Sequence, residues 1–141
     1  MGLQATQPHA AVHLSLPAVP ENVAVVRHVM LAFGDTLDLP RRVVEDVRLA
    51  VTEACTNVVR HAYDDDDGLM DIQIRPYPDR LDIEVADTGR GIGTSTDREG
   101  PGFGLPMMAT LADTLEIDRT TESGSRVAMS FSRSAAPVKP T

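Results

Sequence analysis

The feature that most constrains the fold is a pair of short alternating segments in the middle of the chain. From Leu69 to Tyr77 apolar residues occupy every second position, and the segment from Leu81 to Ala86 repeats this pattern. The short link Pro78-Asp79-Arg80 separates them. Alternation with a period of two is typical of half-buried strands, and a link this short joins strands in an antiparallel hairpin. The sequence therefore predicts an antiparallel sheet with one buried face.

The other apolar segments extend this hairpin into a layered fold. They are, in chain order, a strand from Val12 to Leu16, a helix opened by Pro20 and stopped at Gly34, a helix from Pro40 to about Ala62, a helix from Leu105 to Leu111, and strands around Leu115–Ile117 and Val127–Phe131. In this order the helices form one layer against the sheet. We predict an α+β fold, a two-layer α/β sandwich whose mixed, mostly antiparallel sheet carries three helices on one face.

The length of 141 residues suits one domain. We expect it to comprise residues 12–133, with mobile tails at 1–11 and 134–141 that lack any apolar period. No apolar run approaches the ~18 residues that span a bilayer, and no secretion signal is present, so we expect a cytoplasmic protein. The net charge of −8 argues against a nucleic-acid-binding surface. Cys55, the single cysteine, is expected to be a packing residue.

Glu53 and Asn57 are the first candidate site residues, on the second predicted helix. At four residues' separation they lie about 40° apart around the helix axis and about 6 Å apart along it, so their side chains point the same way. An amide oxygen beside a carboxylate can hold a hydrated magnesium ion while the carboxylate takes up a proton. The same pair also fits a solvated helix surface, and the spacing alone leaves both interpretations open.

Two glycine-rich stretches follow. Asp87 ends a predicted strand and is followed at once by Thr88-Gly89-Arg90-Gly91-Ile92-Gly93, where glycines allow positive φ and let a ligand approach the backbone. The stretch Gly100-Pro101-Gly102-Phe103-Gly104-Leu105 immediately precedes the third predicted helix, whose N terminus can receive phosphate. This second stretch is neither a Walker loop nor a dinucleotide-binding loop, because no GK[ST] follows it and no strand directly precedes it.

Together these residues resemble the GHKL superfamily of ATPases, which includes gyrase, heat-shock chaperones, histidine kinases and mismatch-repair ATPases. The string from Glu53 to Tyr63 is similar to the first motif in the form used by bacterial anti-sigma factor serine kinases, and Asp87 to Gly91 resembles the second motif. The glycines of the stretch 100–105 resemble the third motif, and Gly124-Ser125 resembles the last. The resemblance covers nearly the whole predicted domain and implies the Bergerat ATP-binding fold.

The resemblance implies ATP and magnesium as cofactors. Asn57 would be the magnesium ligand, and Glu53 would be the catalytic base that activates the attacking hydroxyl. The carboxylate of Asp87 would accept a hydrogen bond from the adenine amino group, which favours adenine over guanine. The other ATP-binding residues that it implies are Gly89, Gly91, Gly100, Gly102, Gly104, Leu105 and Ser125, with residues 92–99 as a lid over the triphosphate.

A free-standing domain of this kind is, by the same resemblance, an anti-sigma factor kinase. Such a protein binds a sigma factor and phosphorylates a serine of an antagonist protein; direct contact with nucleic acid or membrane is not expected, and a homodimer is suggested. One alternative is an ATP/ADP-dependent binding switch without phosphotransfer, against which the presence of both Glu53 and Asn57 counts. Another is a histidine-kinase-like catalytic domain that acts on a separate protein.

Overall fold

The computed structural model describes residues 11–62, 68–88, 104–120 and 124–134. The predicted mobile tails lie outside these ranges except for residues 11 and 134, so their mobility stays a prediction. The elements, in chain order, are β1 (Val12–Pro17), α1 (Pro20–Thr36), α2 (Arg41–Asn57), a π-helical segment (Val58–Ala62), β2 (Leu69–Pro76), β3 (Arg80–Asp87), α3 (Gly104–Leu111), β4 (Thr114–Thr120) and β5 (Gly124–Ser132). This is the predicted order of helices and strands.

The five strands form one sheet in the order β1-β2-β3-β5-β4. The hairpin between β2 and β3 is present, and the Tyr77 N–H donates to the Arg80 carbonyl at 2.8 Å to close its turn. Every pairing among the described strands is antiparallel. The antiparallel character predicted from the short links is therefore confirmed, and the described strands contain no parallel pair that would make the sheet mixed.

One face of the sheet is buried under the helices and the other carries charge. Paired residues of antiparallel strands point to the same side, so Ile72, Val85 and Val127 form one row of the inner face, and each is 0% exposed. On the outer face Arg126 contacts both Glu84 and Asp118, at 3.0 and 2.9 Å. Together with the inner face of the sheet, the core contains buried helical residues: Val26, Met30, Val47, Val51, Ala54, Val58 and Met108. The two-layer sandwich is thus confirmed.

Gly34 is not the stop of the first helix, contrary to the sequence-based expectation. α1 continues to Thr36, and Gly34 lies buried inside it. A Cβ at this position would lie 2.5 Å from Cγ2 of Val44 on α2, so the glycine is needed for close packing of the two helices. The chain leaves α1 through Leu37 and then Asp38, whose φ of 57° is left-handed.

Arg133 fixes where α2 begins relative to the sheet. Its guanidinium donates to the Tyr77 carbonyl at 2.7 Å and to the Leu37 carbonyl at 3.4 Å. The link between α1 and α2 therefore lies beside the β2–β3 turn, at what we call the hairpin end of the sheet, where Arg80 pairs with Ser132.

α2 is about as long as the sheet. Its 17 residues span about 26 Å at 1.5 Å per residue, and the 8 residues of β3 span about 27 Å. Because α2 begins near the hairpin end, packs on β3 and β5 and matches the strands in length, we infer that its C-terminal end lies toward the other end of the sheet. We call this the Asp87 end, where Met70, Asp87 and Ser125 pair across three strands. Consistently, the π-helical segment contacts β3.

Among the described residues, no helix combines the length and the apolar character that crossing a membrane requires.

Candidate functional site

Asp87 is a buried carboxylate at the last position of β3. The register places it on the inner face of the sheet, in one row with Met70 and Ser125, and it is 2% exposed. A charge at such a position is costly unless it is hydrogen-bonded. The hydroxyl of Ser125, itself 4% exposed, donates to Oδ2 of Asp87 at 2.6 Å, the short distance of a charge-assisted bond. Asp87 is thus a buried acceptor that Ser125 holds in place, and its contact with adenine stays a prediction.

Glu53 and Asn57 lie on the last turns of α2. Both side chains are half-buried, while their neighbours Ala54 and Cys55 are buried in the core. By the inferred course of α2, Glu53 and Asn57 lie toward the same end of the sandwich as Asp87 and Ser125. Their roles as catalytic base and magnesium ligand stay predictions.

The helix changes its winding directly after Asn57. Val58 caps α2, with its N–H donating to the Ala54 and Cys55 carbonyls, and the π-helical segment follows. Segments of this type widen the helix by one residue per turn and occur frequently at functional sites. The apolar spacing predicts an unbroken helix to about Ala62 and gives no sign of this segment, because it continues through Val58 without a glycine or proline to mark the change.

The third helix has its N terminus turned away from the hairpin end. α3 ends beside Asp113, whose N–H donates to the Ser130 carbonyl at 2.8 Å and whose Oδ2 accepts the Ser132 N–H. These contacts fix the C-terminal end of α3 near the hairpin end, so Gly104 and Leu105 are at the end that faces away from it. The N terminus of a helix carries a partial positive charge and unpaired N–H groups, which suit a phosphate.

Four predicted site glycines, Gly89, Gly91, Gly100 and Gly102, lie outside the described residues, as does the predicted lid at 92–99. Their roles stay predictions. The described part of the site is made of Glu53, Asn57, Asp87 and Ser125, together with the backbone of α3 at Gly104 and Leu105.

Comparison with known families decides what kind of domain this is. Residues 16–131 match the family of the histidine kinase-like ATPase domain. The chain belongs to this ATPase family. The GHKL-type ATPase domain that the sequence motifs predict is therefore confirmed, and the use of ATP follows from the family.

Relatives of this ATPase domain include bacterial kinases. The serine-protein kinase RsbW of Bacillus pumilus strain SAFR-032 is 35% identical over 136 residues, covering 84% of this chain and 83% of the relative. The serine-protein kinase RsbW of Bacillus velezensis is 32% identical over 134 residues, covering 84% and 82%. The chain thus matches these kinases over most of their own length.

A solved structure supports the fold of this ATPase domain. The crystal structure of the RsbU and RsbW domains of a Mycobacterium tuberculosis protein superposes with a TM-score of 0.72 at 21% identity. The match covers 94% of this chain and 35% of that longer one. At this identity the likeness bears on the fold, and it agrees with the α+β sandwich described above.

Proposed function

We propose that this ATPase domain is an ATP-dependent protein serine kinase that acts as an anti-sigma factor. It binds a sigma factor and phosphorylates a serine of an antagonist of anti-sigma action. The observation that supports the catalytic part is the buried hydrogen bond from Ser125 to Asp87, in a chain that carries Glu53 and Asn57 on the last turns of α2 and whose relatives are serine-protein kinases.

The base of the nucleotide is recognised by Asp87. Its carboxylate is held from one side by the Ser125 hydroxyl and accepts a hydrogen bond from an exocyclic amino group. Adenine presents such a donor, whereas guanine presents a carbonyl at that ring position, which a carboxylate repels. Burial strengthens this discrimination because the site excludes the water that would otherwise substitute for a missing bond.

The triphosphate would be held by groups of α2 and by the N terminus of α3. Asn57 would supply an oxygen to a magnesium ion, which is commonly held by one or two protein groups together with phosphate oxygens. Bound ATP supplies the transferable phosphoryl group, and magnesium neutralises its charge. We assign the phosphate contacts to the backbone of Gly104 and Leu105 and of the glycines at 100 and 102, and the adjoining contacts to Gly89 and Gly91.

Glu53 takes the proton from the attacking serine hydroxyl. It lies one turn before Asn57 on the same side of α2, so its carboxylate would face a hydroxyl that approaches the phosphate held at Asn57. A positioned base of this kind contributes typically 10²- to 10⁴-fold to the rate. The sigma factor, the antagonist and a homodimeric assembly are proposed from the resemblance to anti-sigma factor kinases.

The test is phosphotransfer from labelled ATP, with magnesium, to candidate antagonist proteins. We expect Glu53→Gln to lower the transfer rate by about 10² or more while nucleotide still binds. The matched control is Glu45→Gln, the same change on the exposed face of α2 near the hairpin end, where Glu45 pairs with Arg48 at 2.7 Å; its rate should stay at the parent value. Unchanged transfer in Glu53→Gln would remove the proposed base.

The chemical stability of the product separates the alternatives. Phosphoserine survives acid, whereas the phosphohistidine expected from a histidine-kinase-like domain does not. ATP binding without transfer to any of the tested proteins, together with different partner affinities in ATP and ADP, would instead favour the nucleotide-dependent switch.

A further inference from the structure

We propose that the open edge of β4 is a docking site for an extended segment of a partner protein, in which basic and apolar residues alternate. The segment adds a sixth strand to the five-stranded sheet. The surface lies outside the proposed nucleotide site, and the inference does not depend on the proposed kinase activity.

β4 lies at one border of the sheet, where β5 is its only neighbour among the described strands. The other side of such a strand carries a row of backbone N–H and C=O groups, which is a template for a further strand. The seven residues of β4 include neither proline nor glycine to interrupt this row. The start of β4 is fixed to β5, because the Asp113 N–H donates to the Ser130 carbonyl at 2.8 Å. The edge is therefore formed before a partner arrives.

The two apolar side chains of β4 are incompletely covered. Leu115 and Ile117 lie on the inner face of the sheet, where they pair with Met129 and Val127 of β5. Met129 is 2% exposed and Val127 is 0% exposed, whereas Leu115 and Ile117 are only half-buried at the border of the core. Apolar side chains on the inner face of an added strand lie beside them and remove their remaining surface from water.

The outer face of β4 presents negative charge to an added strand. Thr114, Glu116 and Asp118 lie on this face, and all three are exposed. Within the part of the chain that the structure describes, Glu116 forms no ion pair, and Asp118 is 75% exposed although it pairs with Arg126 at 2.9 Å. Opposite charges on neighbouring strands stabilise their pairing and like charges oppose it. The outward side chains of the docked segment are therefore basic.

The opposite edge of the sheet lacks this pattern. β1 contains no acidic residue, and His13 on its outer face pairs with Asp71 of β2 at 3.1 Å. Pro17, the last residue of β1, has no N–H to donate to a further strand. A segment that alternates basic and apolar residues is therefore matched to β4.

The probe is a short fluorescent peptide in which lysine and valine alternate, and its binding to the full chain is measured by anisotropy. A second peptide of the same composition, with its valines grouped together, should bind more weakly because it cannot match both faces of β4. We expect Glu116→Lys to weaken binding of the alternating peptide by about fivefold or more, since an attraction becomes a repulsion. Glu116 pairs with Ala128 in the sheet, so the lysine meets a small neighbour and the fold is kept.

Glu45→Lys is the matched control for net charge. It makes the same charge reversal on the exposed face of α2, where Glu45 pairs with Arg48 at 2.7 Å. This variant should bind the alternating peptide within about twofold of the parent, because exposed charges away from the contact are screened by salt. Equal weakening in Glu45→Lys and Glu116→Lys would show a general attraction to an acidic protein and would overturn the inference.

Methylated backbone amides separate strand addition from attraction between charges. Along a strand, successive N–H groups point to opposite sides in the plane of the sheet, so only every second N–H of the peptide bonds to β4. Two peptides are compared, one methylated at the valine amides and the other at the lysine amides. We expect one of them to lose binding and the other to keep it within about threefold. Full binding by both peptides, or loss in both, contradicts the inference.

Amide hydrogen exchange locates the contact on the protein. The bound peptide should slow exchange at alternate amides of β4 and leave the amides of β1 unchanged. Protection at β1 instead, or no binding at peptide concentrations up to about 1 mM, overturns the inference. ATP binding is measured separately in the same samples, so a protein that binds ATP but not the peptide contradicts only the docking site, and the reverse result contradicts only the proposed function.

Discussion

Single residues differ in how far their sequence neighbours reveal their role. Asp87 is recognisable because glycines follow it, yet its burial and its bond with Ser125, 38 positions along the chain, come from strand pairing. For Cys55, by contrast, the local sequence is sufficient. Its surroundings in the sequence already predict a packing role. The structure confirms it, since the side chain lies on the buried side of α2 and is 0% exposed.

The first prediction concerns the thiol of Cys55. Burial raises its pKa from 9.0 to about 12, because the thiolate is disfavoured away from water. Below pH 9 the thiol is neutral in both states and has no effect on the pH dependence. As the pH rises from about 9 to about 12 the unfolded chain ionises first, so the free energy of unfolding falls by up to about 1.4 kcal/mol per pH unit.

Urea unfolding at a series of pH values measures this effect, and Cys55→Ala is the reference because it removes the titrating group. The parent should lose stability faster than Cys55→Ala above pH 9, and a constant difference between the two would contradict the prediction. At pH 8 a thiol reagent should modify Cys55 only as fast as the protein unfolds.

Individual elements have structural features that their own sequences do not predict. α1 passes through Gly34 because Val44 of α2 needs the space, and α2 changes to a π-helical winding after Asn57. In both cases the apolar period is unchanged, so the pattern predicts a helix correctly and gives no information on its packing partner or its winding. On α2, Asp46 is also partly buried and is close enough to Asp113, between α3 and β4, to be repelled by its charge. The sequence does not show this unfavourable interaction.

The second prediction concerns Asp46. Partial burial raises its pKa above 3.8, Arg42 opposes this shift, and the charges of Asp113 and Glu45 add to it. Below pH 3.8 the carboxyl is neutral in both states. As the pH rises the unfolded chain ionises first, so the carboxylate lowers the stability of the fold at neutral pH.

We therefore expect Asp46→Asn to be more stable than the parent at pH 7 and equal to it near pH 3, as measured by thermal unfolding. Asp35→Asn, an exposed site on α1 with the same change in net charge, is the control and should not show this pattern. A variant that is less stable than the parent at pH 7 would show that the carboxylate makes a favourable contact instead.

The two ends of the sandwich have different roles in the whole molecule. The candidate site occupies the Asp87 end, and Arg133 ties β5, the β2–β3 turn and the α1–α2 link together at the hairpin end. The length of α2, about 26 Å, separates them. We therefore expect a substitution at the hairpin end to lower the free energy of unfolding with little effect on ligand binding at the Asp87 end.

The third prediction tests this separation with Arg133→Ala. The change removes two hydrogen bonds from a charged group to partly buried carbonyls, and we expect a loss of about 1 to 3 kcal/mol in the free energy of unfolding. Nucleotide affinity should stay within about twofold of the parent. Arg41→Ala, at an exposed position that begins α2, should cost less than about 0.5 kcal/mol. Weakened ATP binding in folded Arg133→Ala would show that the two ends are coupled.

Patterns visible along the chain were enough to predict the order of the elements, the antiparallel hairpin with its alternating buried positions, and the ATPase family. These properties depend on local periods, on short links and on strings of adjacent residues such as Glu53 to Tyr63, all of which are visible along the chain. The tertiary structure decided which residues meet. Ser125 holds Asp87, Gly124 makes room for the Asp87–Thr88 peptide, and Gly34 makes room for Val44, because strand register and helix packing join positions that no local pattern relates.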